Sequence, residues 1–294
     1  MKLRFIAYLF SGTLLFISFF SFFTKGFNLG IDFTGGVLVQ VKFNTAVNIK
    51  DLRTALKSES LIGTLIQRIG ETKENRFIIK AKGATPDVKV VDFVQEALVK
   101  ALGQDKIQLP FERTEIVGPT IGKDMRNTAY LLIGISLVAM LIYITFRFTL
   151  KYAVGAIIAL GHDVFITLGV FSVFQFEVDM TIVAAVLTII GYSINDTIVV
   201  YDRIREFMKI YRGKPLEELI DSSITTTLGR TLVTGLTTLL VCVILFIWGG
   251  PVIHYFSLAF IIGIGFGTYS SVYVATALGY DWERLEEAKK HKKA

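Results

Sequence analysis

Residues 180–201 read MTIVAAVLTIIGYSINDTIVVY, an apolar run long enough to cross a bilayer that carries a single carboxylate, Asp196. A charge at bilayer depth costs roughly 3 kcal/mol on insertion scales, so such a residue marks an ion path, a proton relay or a buried partner. Five further apolar runs, at 5–24, 130–148, 153–176, 231–249 and 256–279, have comparable length. Together they predict an α-helical multi-pass membrane protein with six transmembrane helices.

The composition agrees. The 294 residues are 52% hydrophobic with only five prolines, and a water-soluble chain could not leave so many long apolar runs exposed. The first run is followed by Thr24, Lys25, Gly26 and Phe27 with no small-residue cleavage site, so it reads as a retained helix, not a signal peptide. Cys242 is the lone cysteine, which excludes an internal disulfide; inside an apolar run it reads as a small buried hydrophobe.

The net charge of +6 is better explained by topology than by a nucleic-acid partner. With the N-terminus inside, Lys2, Arg4, Arg147, Lys151, the cluster from Arg203 to Arg230, and the basic tail all fall on the cytoplasmic side. The two short outer loops, 175–179 and 249–255, hold no Lys or Arg. Both termini are expected in the cytoplasm.

The organisation follows: residues 1–24 form helix one, 25–127 an external α+β domain, 128–279 a five-helix membrane domain, and 280–294 a basic cytoplasmic tail. In the external segment, residues 36–43 place Val37, Val39, Val41 and Phe43 on one face, as a half-buried strand does. Helical spacing at 49–57 and 86–102, and strands at 61–69, 76–82 and 110–117, complete a β-α-β-β-α-β order, the ferredoxin-like pattern. Val90, Val91, Val94, Leu98 and Leu102 form the inward face of the second helix. The cytoplasmic connection 202–229 reads as an extended foot of span four, a break at Gly213, Lys214 and Pro215, and a short amphipathic helix at 216–226. The tail from 282 onward is expected to fray, its lysines setting topology or touching anionic lipid.

No nucleophile with a base, no metal-ligand cluster and no phosphate loop is evident, so neither enzyme activity nor a cofactor or metal is expected. His162, His254 and His291 are too scattered for a ligand set. Residues 29–36, LGIDFTGG, lack the Walker lysine; Gly30, Gly35 and Gly36 around Asp32 are read as a sharp turn from membrane into strand or as a hinge.

Ionisable groups inside the spans carry more. Asp196 lies about five residues, roughly 8 Å, from the cytoplasmic end of span four. Arg230 opens span five at the same edge, so a pair between them is allowed, serving either a titrating role or a satisfied helix–helix contact. His162 and Asp163 sit near mid-bilayer, as a relay or as a buried packing pair, with direct contact to Asp196 doubtful. Gly191, Ser193 and Asn195 suggest a surface packed against protein, and Ala259, Gly263 and Gly267 have small-xxx-small spacing.

The segments LGIDFTGG, GHDVFITLG (161–169), GYSINDTIVVYDRIREF (191–207) and GRTLVTGLTTLL (229–240), in this order, resemble the SecF family of bacterial protein-export subunits. The resemblance covers nearly the whole chain; the external segment matches mainly by architecture and position. It implies half of a resistance-nodulation-division (RND) type membrane fold in the bacterial cytoplasmic (inner) membrane, with the other half supplied by SecD. It also implies work beside the SecYEG translocon, with YajC, unfolded preproteins and membrane lipid as further partners, driven by the proton-motive force. The family's coupling aspartate and arginine fall on Asp196 and Arg230. Two other readings stay open: a passive scaffold of the translocon, and a proton-coupled exporter of small amphiphiles. The second expects a larger entry domain than this chain holds.

Overall fold

The computed structural model describes residues 1, 3–57, 64–70, 72–82 and 88–291. In chain order the elements are α1 (Arg4–Thr24), β1 (Asn28–Leu29), α2 (Ile31–Thr34), β2 (Gly36–Phe43), α3 (Ile49–Lys57), β3 (Leu65–Ile69), β4 (Arg76–Lys82), α4 (Val88–Leu102) and β5 (Ile107–Val117). There follow α5 (Pro119–Arg147), α6 (Leu150–Phe174), β6 (Glu177–Val178), α7 (Met180–Ile210), α8 (Leu216–Trp248), α9 (Pro251–Ser270) and α10 (Thr276–His291), with a π-helical turn at Ser271–Ala275 joining the last two.

Among the described residues, six helices are long and apolar enough to span a membrane: α1, α5, α6, α7, α8 and the continuous Pro251–Glu286 segment. The burial pattern shows how they are arranged. The apolar windows of α6, α7 and Pro251–Glu286 are each 56% buried, whereas those of α5 and α8 are 11% and 17% buried. Three helices therefore form a centre, and α1, α5 and α8 turn wide apolar faces outward. Phe5, Leu9, Phe16, Leu131, Leu236 and Leu240 on those faces would be costly in water but cost nothing against hydrocarbon. The central helices approach closely because small residues line the contacts. A Cβ on Gly263 would lie 2.5 Å from the Ile189 side chain, and one on Gly267 3.2 Å from Ser193. The Ala259, Gly263 and Gly267 stripe thus packs α9 onto α7, with all three residues buried.

The α+β unit between the first two spans is an antiparallel sheet of order β3-β4-β2-β5. Val37, Val39, Val41 and Phe43 share one face of β2 and meet Phe77 and Ile79 of β4 under α3 and α4, where Leu52, Leu56, Val94 and Leu98 close the core. Val90, Val91 and Leu102 pack at its margin. The opposite face carries Leu38 and Ile78, which rest on Ile31. The expected strand at 61–69 is described from Leu65 and the expected helix at 86–102 from Val88; residues 61–63 and 86–87 lie outside the described residues.

Two expectations need correcting. The helix at 216–226 is not separate: α8 runs unbroken through Arg230 to Trp248, since Gly229 has open space around it and Ser223, Thr226 and Thr227 return their hydroxyls to carbonyls one turn back. The tail does not fray after Trp282 but stays helical to His291, with Lys151 of α6 holding Glu283 and Glu286. The outer loop at 175–179 contains β6, which pairs in parallel with β1.

Candidate functional site

Asp196 lies in α7 and is 4% exposed, the depth and isolation that its sequence context suggests. Arg230 lies on α8, which packs beside α7 through a hydrogen bond from Tyr192 to Thr238 at 3.3 Å. The guanidinium is within Coulombic range of Asp196 but forms neither an ion pair nor a hydrogen bond with it; among the described residues the Asp196 carboxylate has no hydrogen-bond partner. Arg230 itself is exposed. The satisfied helix–helix ion pair is therefore absent in this conformation. Gly191 and Asn195 are exposed, on the side of α7 that this chain leaves uncovered, because Ser193 and Asp196 occupy the inward side. With Thr181, Ala184 and Thr188 they form a stripe at helical spacing.

His162 and Asp163, by contrast, are saturated. Asp163 is 0% exposed, and its Oδ2 accepts from Ser193 and Ser270, each at 2.7 Å. His162 Nδ1 meets Asp163 Oδ1 at 2.9 Å, and its Nε2 meets Ser11 Oγ at 3.0 Å. Tyr269 lies 3.1 Å from Ser11 and donates to the Ala7 carbonyl at 2.9 Å. The His162 ring thus bridges Asp163 to Ser11, and Ser11 in turn meets Tyr269. The network ties α1, α6, α7 and α9 together. It reaches the Asp196 region through Ser193, three residues before Asp196, and among the described residues no bond joins the two aspartates.

The LGIDFTGG segment is a clasp. After β1, the Gly30 N–H donates to Val178 of β6 at 2.7 Å. Asp32, in α2, accepts from the backbone N–H of Met180, the first residue of α7, at 2.9 Å. Gly35 and Gly36 have φ of +75° and +148°, and a Cβ on Gly36 would sit 2.3 Å from the Ala81 carbonyl, so the turn into β2 admits only glycine. Beside it Glu177, 4% exposed, receives Lys80 at 2.9 Å and Lys82 at 3.7 Å from the underside of the sheet. Burial raises the Asp32 carboxyl above its usual range, against the lowering effect of the Met180 N–H. Burial likewise lowers Lys82, against the raising effect of Glu177.

Known proteins share this layout. Residues 94–285 match the model of the protein export membrane protein SecD/SecF, C-terminal, and residues 20–47 match the SecD/SecF GG motif. The chain belongs to the SecD/SecF family.

Within the family it is similar to "Protein translocase subunit SecF" of Haemophilus influenzae, at 42% identity over 96% of this chain and 85% of that one. It is similar to the same subunit of Vibrio alginolyticus, at 43% identity over 93% and 86%. Among solved structures it superposes on SecDF, a translocon-associated membrane protein from Thermus thermophilus, with TM-score 0.83 and 36% identity over 97% of this chain. It spans only 38% of that longer SecDF chain. The family's GG motif is thus the clasp built from Gly30, Asp32, Gly35 and Gly36.

Sequence reasoning missed Ser270, Ser11 and Tyr269 around Asp163, and Glu177 with Lys80 and Lys82 around the clasp. Isolated hydroxyls in apolar runs are common, and only the helix packing shows which of them converge. Glu177 had a usable signal: a carboxylate in a loop of five residues between two spans, opposite a strand with alternate lysines.

Proposed function

We propose that the chain works as the SecF-type half of a Sec protein-translocation unit that couples proton movement to late export of unfolded preproteins. The observation that carries this is the state of Asp196: buried, without a hydrogen-bond partner among the described residues, and facing a cation that does not neutralise it by contact. A carboxylate held in this way has little to pin one protonation state, as a proton carrier requires. Arginine stays charged, so the proton is carried by Asp196 and Arg230 modulates it.

The route outward follows the chain. Protonating Asp196 removes its attraction to Arg230 and lets α7 shift against α8. Asp196 is roughly 24 Å from the start of α7 at the helical rise per residue. There Met180 is held by Asp32, and Glu177 by Lys80, so a movement of α7 is delivered to the sheet. The sheet unit, whose strand order and paired helices suit the ferredoxin-like pattern, is placed on the outer face of the bacterial inner membrane. Both termini lie in the cytoplasm, in keeping with the lysines and arginines of the inner segments. SecD supplies the missing half and covers the uncovered faces of α7 and α8; the 38% share of the SecDF chain supports that division. SecYEG, with YajC, is the expected neighbour, and no catalytic chemistry is required.

Export assays with Asp196→Asn, Arg230→Gln and the double variant test this reading. Each single variant should abolish proton-motive stimulation while SecD still co-purifies, and the double variant should not recover it. Full export in the double variant would make the chain a passive scaffold.

A further inference from the structure

At the end of the bundle away from the sheet, α5 stops at Arg147, α6 starts at Leu150, and α7 continues past both to Ile210. A cleft of about 460 Å³ opens between them, within the usual size range of small-ligand sites. Arg147, Lys151, Arg205, Lys209 and Arg212 line it against one carboxylate, Glu283.

Two of these cations are answered within the chain: Arg147 pairs with Asp202 at 2.8 Å, and Lys151 pairs with Glu283 and Glu286. The other three are not. Among the described residues Arg205, Lys209 and Arg212 form no ion pair, and Arg205 is bonded only to the Arg147 carbonyl, at 3.3 Å. Arg205 and Lys209 are four residues apart on one face of α7, a spacing at which like charges repel. A chain that gathers three unanswered cations over one cleft is arranged for an anion.

The floor and the level of the cleft say which anion. Tyr152, Tyr201 and Met208 form an apolar floor below the cations. Phe146, at 89% exposed, continues through Ile142 into the outward apolar face of α5. With α5 read as a membrane span, the cations sit at its charged end, where hydrocarbon gives way to headgroups, and the apolar wall runs from there along the span. An acidic protein segment would use the charges but leave that wall without a role. We propose that this cleft binds an anionic phospholipid, its phosphodiester held by Arg205, Lys209 and Arg212 and its acyl chains laid along α5. The site is independent of Asp196.

The full chain, purified in mild detergent and exposed to mixtures of phosphatidylglycerol and phosphatidylethanolamine, is examined by native mass spectrometry for retained lipid. The wild type should retain phosphatidylglycerol preferentially. The triple variant Arg205→Gln, Lys209→Gln, Arg212→Gln should lower that retention by about tenfold or more, given that each cation contributes about fivefold at a charged membrane surface. The charge-keeping pair Arg205→Lys, Arg212→Lys should retain the lipid, which separates loss of the site from loss of the fold. The pair Arg203→Gln, Lys214→Gln, at the same end but outside the cleft, should change nothing. Equal retention of both lipids by the wild type would overturn the proposal, as would displacement of phosphatidylglycerol by inorganic phosphate. So would a triple variant that keeps its lipid but loses a co-purifying protein partner, which would make the cleft a protein-docking surface.

Discussion

Asp163 and Asp196 are both buried on adjoining helices, yet Asp163 is surrounded by Ser193, Ser270 and His162 while Asp196 has no hydrogen-bond partner among the described residues. Two carboxylates in one bundle thus have opposite surroundings, which suit Asp163 to fastening the helices and Asp196 to the proposed proton coupling.

Replacing each should separate those roles. Asp163→Ala strands His162, Ser193 and Ser270, and leaving a buried polar group without its partner costs about 1–3 kcal/mol. The variant should unfold at a clearly lower temperature in detergent or fail to accumulate. Asp196→Asn removes no hydrogen bond and should melt within a few degrees of the wild type. A thermal-unfolding series checks both, and equal destabilisation would contradict the assignment.

Gly36→Ala should weaken the entry to the sheet. The added Cβ meets the Ala81 carbonyl at 2.3 Å on a backbone with φ of +148°, a conformation that side chains rarely adopt. The expected loss is about 1–3 kcal/mol. Hydrogen exchange at β2 and β4 should rise before exchange in the central helices.

Asp32 gives a pH signature. Its folded-state carboxyl is raised above the ordinary 3.8, so the folded chain holds this proton more tightly than the unfolded chain does. That contribution to stability is full below 3.8 and is lost as pH rises through the folded value. Asp32→Asn keeps an oxygen for the Met180 N–H without a charge to bury. It should therefore be at least as stable as the wild type at neutral pH and show a flatter stability profile above pH 3.8. Asp32→Ala loses the acceptor and should be less stable than either.

Glu177→Ala leaves Lys80 and Lys82 facing one another without their shared carboxylate. Removing one member of a buried ion pair costs about 3–5 kcal/mol. Here the loss should appear locally, as faster hydrogen exchange in β1 and the first turn of α7. Under the proposed coupling, export should fall as well, because this contact joins the loop before α7 to the sheet.

Much of this was legible in one chain. The spans were visible because bilayer crossing demands long apolar runs, and β2 because its alternation must match the pleat. Asp196 stood out because a charge in such a run is costly. Arg230 was suggested by depth alone, and the structure places it within Coulombic range but not in contact. Convergence across long separations was not legible: Ser11, Asp163, Ser193 and Ser270 meet only when four helices pack. The continuous α8 was missed because a polar stretch next to a span looks like a loop, whereas its serines and threonines satisfy their hydroxyls on the helix itself.

Proton-motive stimulation of late export, measured in inner-membrane vesicles carrying Asp196→Asn in an assembled complex, is the most direct measurement. The carboxamide keeps the size and removes the titration, so stimulation should vanish while ATP-driven export and complex recovery persist. Wild-type stimulation by that variant would contradict proton coupling through Asp196.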